Sequence, residues 1–234
     1  MDQSRSSDLP KYLQISESLI RDIGAGVLAD GTRLPPERDM AAGLGISVGT
    51  LRKALSEIEA KGLLSRVQGS GNYIKAGRVT GSIYGMFRLE KPGGGGLPRA
   101  AFLDVRTVAK PADLPPFGTS DQATRMRRLR SLDSTVMAVE EIWLDAEAGV
   151  LSTDTVSESL YHAYREILGL QVLRAEDRVG LGSVPDWAPA QFPLDAGTTC
   201  GFIERFTWGA QTAPVEYSRT WFDPSRAVYV QRLG

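Results

Sequence analysis

Apolar residues first recur at helical spacing over 9–26, where Tyr12, Ile15, Leu19 and Ile23 share one face of a predicted helix. Pro35 and Pro36 then open a second helix, from Glu37 to about Leu44, because proline lacks the N–H that a first turn leaves unpaired. Glu37 and Asp39 favour its positive end, and Gly43 and Gly45 end it. Ser47 follows as an N-cap, and Val48, Leu51, Leu55 and Ile58 form the apolar stripe of a third helix. The period then changes to two. Leu63 to Val67 and Asn72 to Ile74 read as strands joined by the tight turn Gln68-Gly69-Ser70-Gly71.

Beyond 76–82, a small, polar, glycine-containing linker, the pattern is mostly strand-like. Strands are expected over 101–108, 172–180, 199–208, 215–222 and 227–233, with a hairpin of 124–132 and 136–144 turning at Asp133-Ser134. One helix, 155–168, carries Val156, Leu160, Ala163, Tyr164 and Ile167 and stops at Gly169. Residues 91–98, KPGGGGLP, lack the Lys and Ser/Thr of a phosphate loop and read as a plain loop. The expected class is α+β: a helical module with a β-hairpin, then a mostly antiparallel sheet with helices.

With 234 residues and 42% hydrophobic content, the chain is long enough for two modest domains with real cores. A net charge of −1 by itself names no polyanion partner. Over 9–75, however, nine Lys/Arg stand against seven Asp/Glu, a surplus of two, so any affinity of this stretch for a polyanion through charge alone should be weak and salt-sensitive. One cysteine, Cys200, forms no internal disulfide and reads as a small core residue. With one histidine, His162, it falls short of a zinc set, and no cofactor is expected. The polar start MDQSRSSD reads as a flexible tail with no signal-peptide core, and no stretch approaches a membrane span, so a cytoplasmic location is expected.

The third helix presents Gly49, Arg52, Lys53 and Ser56 opposite its apolar stripe, a small, basic, hydrogen-bonding face of the kind a major groove accepts. A solvated two-helix hairpin would show the same face; the hairpin that follows, with backbone-exposing glycines, tips the balance. The helix, LPPER, GISVGTLRKAL, EIEAKGLL and QGSG, in that order over 9–75, resemble the winged helix-turn-helix of the GntR family of bacterial transcription regulators. The resemblance implies that Arg38 clamps DNA, that Ser47, Thr50 and Arg52 touch bases and phosphates, and that Gly69 lies along the minor groove. Gln68 and Gly71 flank that tip, and Lys53 lies on the same outer face. Val48 and Gly49 stand where relatives often carry arginine and asparagine or threonine; Val48 offers a thymine methyl contact in place of a hydrogen bond to guanine.

Three later segments, RRLRSLDSTVMAVEEIWL, ESLYHAY and PVEYSRTWF, resemble the UTRA effector-binding domain of the HutC subfamily, over about 83–232. That resemblance implies a chorismate-lyase-like fold and a small-molecule effector. On the residues alone, Arg128 and Arg130 alternate on a strand, so both point to one side with forks suited to carboxylate or phosphate. Glu140 and Glu216 supply acceptors, and Ser159 opens a helix, as a ligand contact or simply as an N-cap. The resemblance places these residues in the pocket, with Arg178 and Arg219 as weaker candidates. Phe222, near a position often held by tyrosine, implies a less hydrophilic ligand. The competing reading of an arginine–glutamate set is a surface ion-pair ladder contributing little. Trp187, within Asp186-Trp187-Ala188-Pro189, reads as part of a turn rather than a lid.

The expected function is a ligand-responsive repressor. It binds a palindromic double-stranded operator as a homodimer, since one winged domain reads too little sequence for genomic specificity. The effector class spans sugar phosphates, carboxylates, phosphonates and amino-acid derivatives. The alternatives are a chorismate-lyase-like enzyme fused to a DNA-binding module, or a regulator whose second domain only dimerises.

Overall fold

A computed structural model describes residues 10–75, 86–156 and 159–232. The tail (1–8), the linker (76–82) and Glu158 lie outside these described residues. The described chain divides into two compact units, one of Leu89–Tyr229 and one of 10–88 with 230–232.

The smaller unit holds three helices, α1 (Lys11–Gly24), α2 (Glu37–Gly43) and α3 (Val48–Ala60), and a hairpin of β1 (Leu64–Val67) and β2 (Gly71–Ile74). Its core is the two apolar stripes face to face. Ile15, Leu19, Ile20 and Ile23 of α1 meet Leu51, Ala54, Leu55 and Ile58 of α3, all buried. Each of the leucine and isoleucine side chains contributes roughly 1.5–3 kcal/mol on removal from water. The Ser47 hydroxyl accepts from Thr50 N–H at 3.1 Å and fixes where α3 begins. Residues 31–34 add a third rung to the hairpin. Gly31 N–H donates to Ile74, Ile74 N–H to Thr32, and Leu34 N–H to Asn72, each at 2.9 Å. The segment that enters α2 is thereby sewn to the wing.

The larger unit contains β3 (Leu89–Glu90), β4 (Pro98–Ala109), β5 (Gln122–Leu132), β6 (Thr135–Asp145), α4 (Leu160–Leu168), β7 (Arg174–Ser183), β8 (Thr199–Trp208), β9 (Glu216–Phe222) and β10 (Val228–Tyr229). Six strands form one antiparallel sheet in the order β4-β5-β6-β9-β8-β7, and β3 pairs separately with β10. The hairpin turns at Asp133-Ser134 as expected, with Asp133 at φ 55°. On one face α4 packs Leu160 and Tyr164 against Met126, Ile142 and Leu144. The other face is aromatic: Trp143, Phe206 and Tyr217 under Phe117, and Trp221 with Val184 and Phe192. Cys200 is buried there, and Trp187 packs against Trp221 with ring centroids 5.7 Å apart.

Two expectations need correction. The helix placed at 155–168 begins only at Leu160. The Thr155 hydroxyl instead donates back to the Ser152 carbonyl and accepts its N–H, which closes a local turn. The last strand, placed at 227–233, is only Val228–Tyr229.

Candidate nucleic-acid interface and effector pocket

The outer surface of the smaller unit is held by one carboxylate. Arg52 Nε donates to Glu37 Oε2 at 2.7 Å, and Asn72 Nδ2 makes a long 3.5 Å contact with the other oxygen. The Arg52 guanidinium holds the Glu37 pKa below the usual carboxylate range despite partial burial. Arg52 is nonetheless 65% exposed, so its remaining N–H groups face outward in an oriented fork. Arg66 of β1 reaches back to α3, donating to the Ser56 hydroxyl at 2.8 Å and pairing with Glu59 at 2.9 Å. Between the entry to α2 and the wing lies a cleft of about 390 Å³, lined by Arg33, Glu37, Arg66, Gln68, Gly69 and Asn72 among others. Gly69, at the exposed tip, has φ +75° with open space around it, a conformation that glycine adopts freely and that lets another backbone approach.

The expected contact residues fall around this surface. Arg38 is exposed on α2 with no side-chain partner among the described residues, and Ser47, Val48, Gly49 and Thr50 form the first turn of α3. The hydroxyls of Ser47 and Thr50 lie 2.9 Å apart. Gln68, Gly69 and Gly71 form the wing tip. Lys53 is exposed, as expected, and its ammonium sits 4.0 Å from the centre of the Tyr12 ring on α1. Arg33, not singled out by the motif, lies beside Gly71.

In the larger unit a buried polar cluster lies on the α4 face of the sheet. Arg128 donates to Glu140 Oε2 through Nε at 3.0 Å and Nη2 at 2.5 Å, and Arg130 Nη1 lies 3.9 Å from the same oxygen. The Thr220 hydroxyl donates to the other Glu140 oxygen at 3.4 Å. Burial raises the Glu140 pKa, but the two arginines outweigh it and leave the carboxyl below its ordinary value. Arg128 is 5% exposed, and its Nη1 has no hydrogen-bond partner among the described residues. A buried guanidinium N–H without an acceptor is costly, and it is a place where an anion gains most.

The cluster continues to Glu216, which accepts from Tyr164 at 2.5 Å, Thr207 at 2.9 Å and Tyr161 at 3.3 Å. Burial pushes its pKa up, against the hydrogen bonds from Tyr164 and Thr207 that favour the charged form. Burial and the Glu216 charge together push the Tyr161 phenol up to about 12. Arg205 binds Asp177 through Nε at 2.5 Å and Nη2 at 2.7 Å, and Tyr229 donates to the same carboxylate at 2.7 Å. The hydroxyls of Tyr161, Tyr164, Thr207 and Thr220 already donate to Glu216 or Glu140, whereas Arg128 Nη1 keeps a donor for an anion. The acceptors of the set are largely engaged within the protein.

Comparisons with known proteins agree with both halves. The model of bacterial regulatory proteins of the gntR family matches residues 11–74, and the UTRA domain model matches 94–227. SmoD of Agrobacterium fabrum, an HTH-type transcriptional regulator, is 52% identical over 226 residues, covering 96% of this chain and 97% of that protein. The HTH-type transcriptional repressor NagR of Bacillus subtilis is 24% identical, over 100% of this chain and 98% of its own. The crystal structure of YydK from Bacillus subtilis, a possible transcriptional regulator, superposes with a TM-score of 0.53 at 20% identity, over 97% of this chain and 100% of that one. The chain is a GntR-family transcription regulator.

In this GntR regulator Arg128, Arg130, Glu140, Glu216 and Phe222 share the α4 face, as the register Arg128↔Glu140↔Thr220 and Arg130↔Ala138↔Phe222 requires. The Phe222 ring lies directly over Gly201 on the neighbouring strand, where a side chain would collide with it. Ser159 precedes α4 and is buried, but its hydroxyl makes no capping bond. Arg178 requires correction. The register Arg178↔Glu204↔Arg219↔Glu141 puts it on the aromatic face, away from Arg128, and it pairs at the surface with Glu176 at 3.0 Å. Arg219, on the same face, pairs with Glu141 at 2.9 Å. The motifs did not single out Arg205, Asp177, Thr207 and Thr220. The alternation of Ile203, Arg205 and Thr207 carries that signal, but Phe202, Phe206 and Trp208 on the other face make the stronger apolar pattern.

Proposed function

We propose that this regulator is a repressor that binds a palindromic operator as a homodimer and is released by a small anionic metabolite held in the α4-face cluster. The observation that carries the effector reading is Arg128: buried, oriented by Glu140, and left with an unused donor at Nη1. Arg130 beside it adds a second positive charge for a ligand such as a sugar phosphate, carboxylate, phosphonate or amino-acid derivative. The repressor reading takes support from NagR, a relative named as one. Residues 9–75 form the DNA-binding domain, 76–82 the linker and 83–234 the effector domain. The ligand acts through differential affinity for DNA-competent and DNA-incompetent arrangements of the dimer, in the cytoplasm.

Fluorescence anisotropy with DNA from upstream of its own gene, with random DNA as competitor, tests this. Competitor-resistant binding that a metabolite panel reverses supports the proposal. A metabolite that tightens the complex would overturn the release mechanism, and none altering it would overturn the effector reading.

A further inference from the structure

The two edges of the six-stranded sheet are built differently. β4 carries a register shift at Phe102/Asp104, begins at Pro98 and bears the Arg106–Asp104 pair, the usual means of blunting an edge. β7 runs its whole length against β8 without a register shift and contains no proline. It is also unusually exposed: Val179 is 51% and Leu181 78% accessible, and Leu173 just before it is 57%. A long, unbroken edge with exposed aliphatic side chains is a template for another strand.

We propose that β7 is the seam on which a second copy of this chain docks, antiparallel, about a two-fold axis at Asp177. This deepens the homodimer reading above and rests on it. Val184 N–H donates to Thr198, and the uninterrupted register then turns the backbone groups of the odd residues 175–181 away from β8, toward the open edge. An axis at Asp177 joins two such outward residues by a pair of backbone hydrogen bonds. It also sets Glu176 opposite Arg178 of the partner subunit, twice by symmetry. Ala175 then meets the partner's Val179, and Leu173 meets the partner's Leu181, on the opposite face. An axis at Arg178 would instead oppose two arginines, and one at Glu176 two glutamates. The two Asp177 carboxylates at the axis are each already bound by Arg205 and Tyr229 of their own chain. Self-complementary charge selects the register. Arg178 thus acts at the subunit boundary, where its side chain is 63% exposed and its present partner Glu176 is 44% exposed.

Sedimentation equilibrium of the full chain tests the seam with E176R, R178E and the double variant. Each single reversal turns two attractions into two repulsions and should raise the dimer dissociation constant roughly tenfold or more, and the double reversal should restore it. Both side chains are largely solvated, and unchanged tryptophan fluorescence would show an intact fold. Single variants that dimerise like the parent chain would overturn the seam while leaving a homodimer standing. A parent chain that stays monomeric at all concentrations, alone and on operator DNA, would overturn the homodimer and the seam with it.

Discussion

Tyr164→Phe removes one oxygen from the core of the effector unit and nothing else. The phenol donates to Glu216 at 2.5 Å, and both residues are at most 1% exposed, so no water replaces it without rearrangement. A hydrogen bond to a buried charged group is worth about 1.5–3 kcal/mol, and one to a neutral group about 0.5–1.5 kcal/mol. The cost therefore depends on the proton of Glu216. Burial raises its folded pKa above the ordinary 4.5, so its proton stabilises the fold at low pH, and that contribution is lost as pH rises through the folded value. Removing Tyr164, which favours the charged form, raises that pKa further. The folded variant then binds more proton than the folded parent, and its stability falls more steeply with pH. All four tryptophans (143, 187, 208 and 221) lie in the Leu89–Tyr229 unit, so their fluorescence follows its unfolding alone. The expected loss in Tm is roughly 2–5 °C at pH 5 and roughly 5–10 °C at pH 8. Equal losses at the two pH values, or a loss under about 1 °C at both, would refute the placement of Tyr164 as the donor that keeps Glu216 charged.

Arg128→Ala should raise the concentration of releasing metabolite needed in the anisotropy assay by roughly ten- to a hundredfold, the worth of a charge-assisted hydrogen bond, with operator affinity unchanged. Arg52→Ala should weaken operator binding about tenfold or more and, where its fork meets phosphate, lower the salt slope by about 1 in a titration from low to moderate salt. Gly201→Ala places a methyl group inside the Phe222 ring and should cost about 1–3 kcal/mol by tryptophan-monitored urea unfolding, as overpacking does.

The DNA-binding half was legible because its signals are local. Helix starts, the Ser47 cap and the Gln68–Gly71 turn are each set by residues a few positions apart, and the structure places them as read. Arg128 and Arg130 were legible for a similar reason, since their alternation lies on one strand; their pairing with Glu140 was not, because an irregularity between Arg130 and Ser131 shifts by one residue the register that the turn at Asp133 sets. Arg178 and Arg205 were not. Even-numbered residues of β5, β6 and β9 face α4, but the pairings Thr220↔Ile203 and Ile203↔Val179 switch the α4 face to odd numbers on β8 and β7. That change of parity is set by loop geometry and sheet order, neither of which a strand's own alternation encodes. The early start expected for α4 failed for a local reason, the side-chain turn at Ser152–Thr155, which competes with helix in the same residues.

The Glu37 carboxylate, with Arg66 and the 31–34 rung, leaves α3 and the wing little freedom to move against each other. A stiff reader shifts the burden of fitting to what it reads. With α3 and the wing both on the operator, as the family resemblance implies, base pairs between them that neither touches would matter through how readily they twist or narrow the groove. Operator strength should therefore track the bendability of those untouched steps, so that a stiff A-tract and a flexible TA step at the same spot give different affinities for identical contacts.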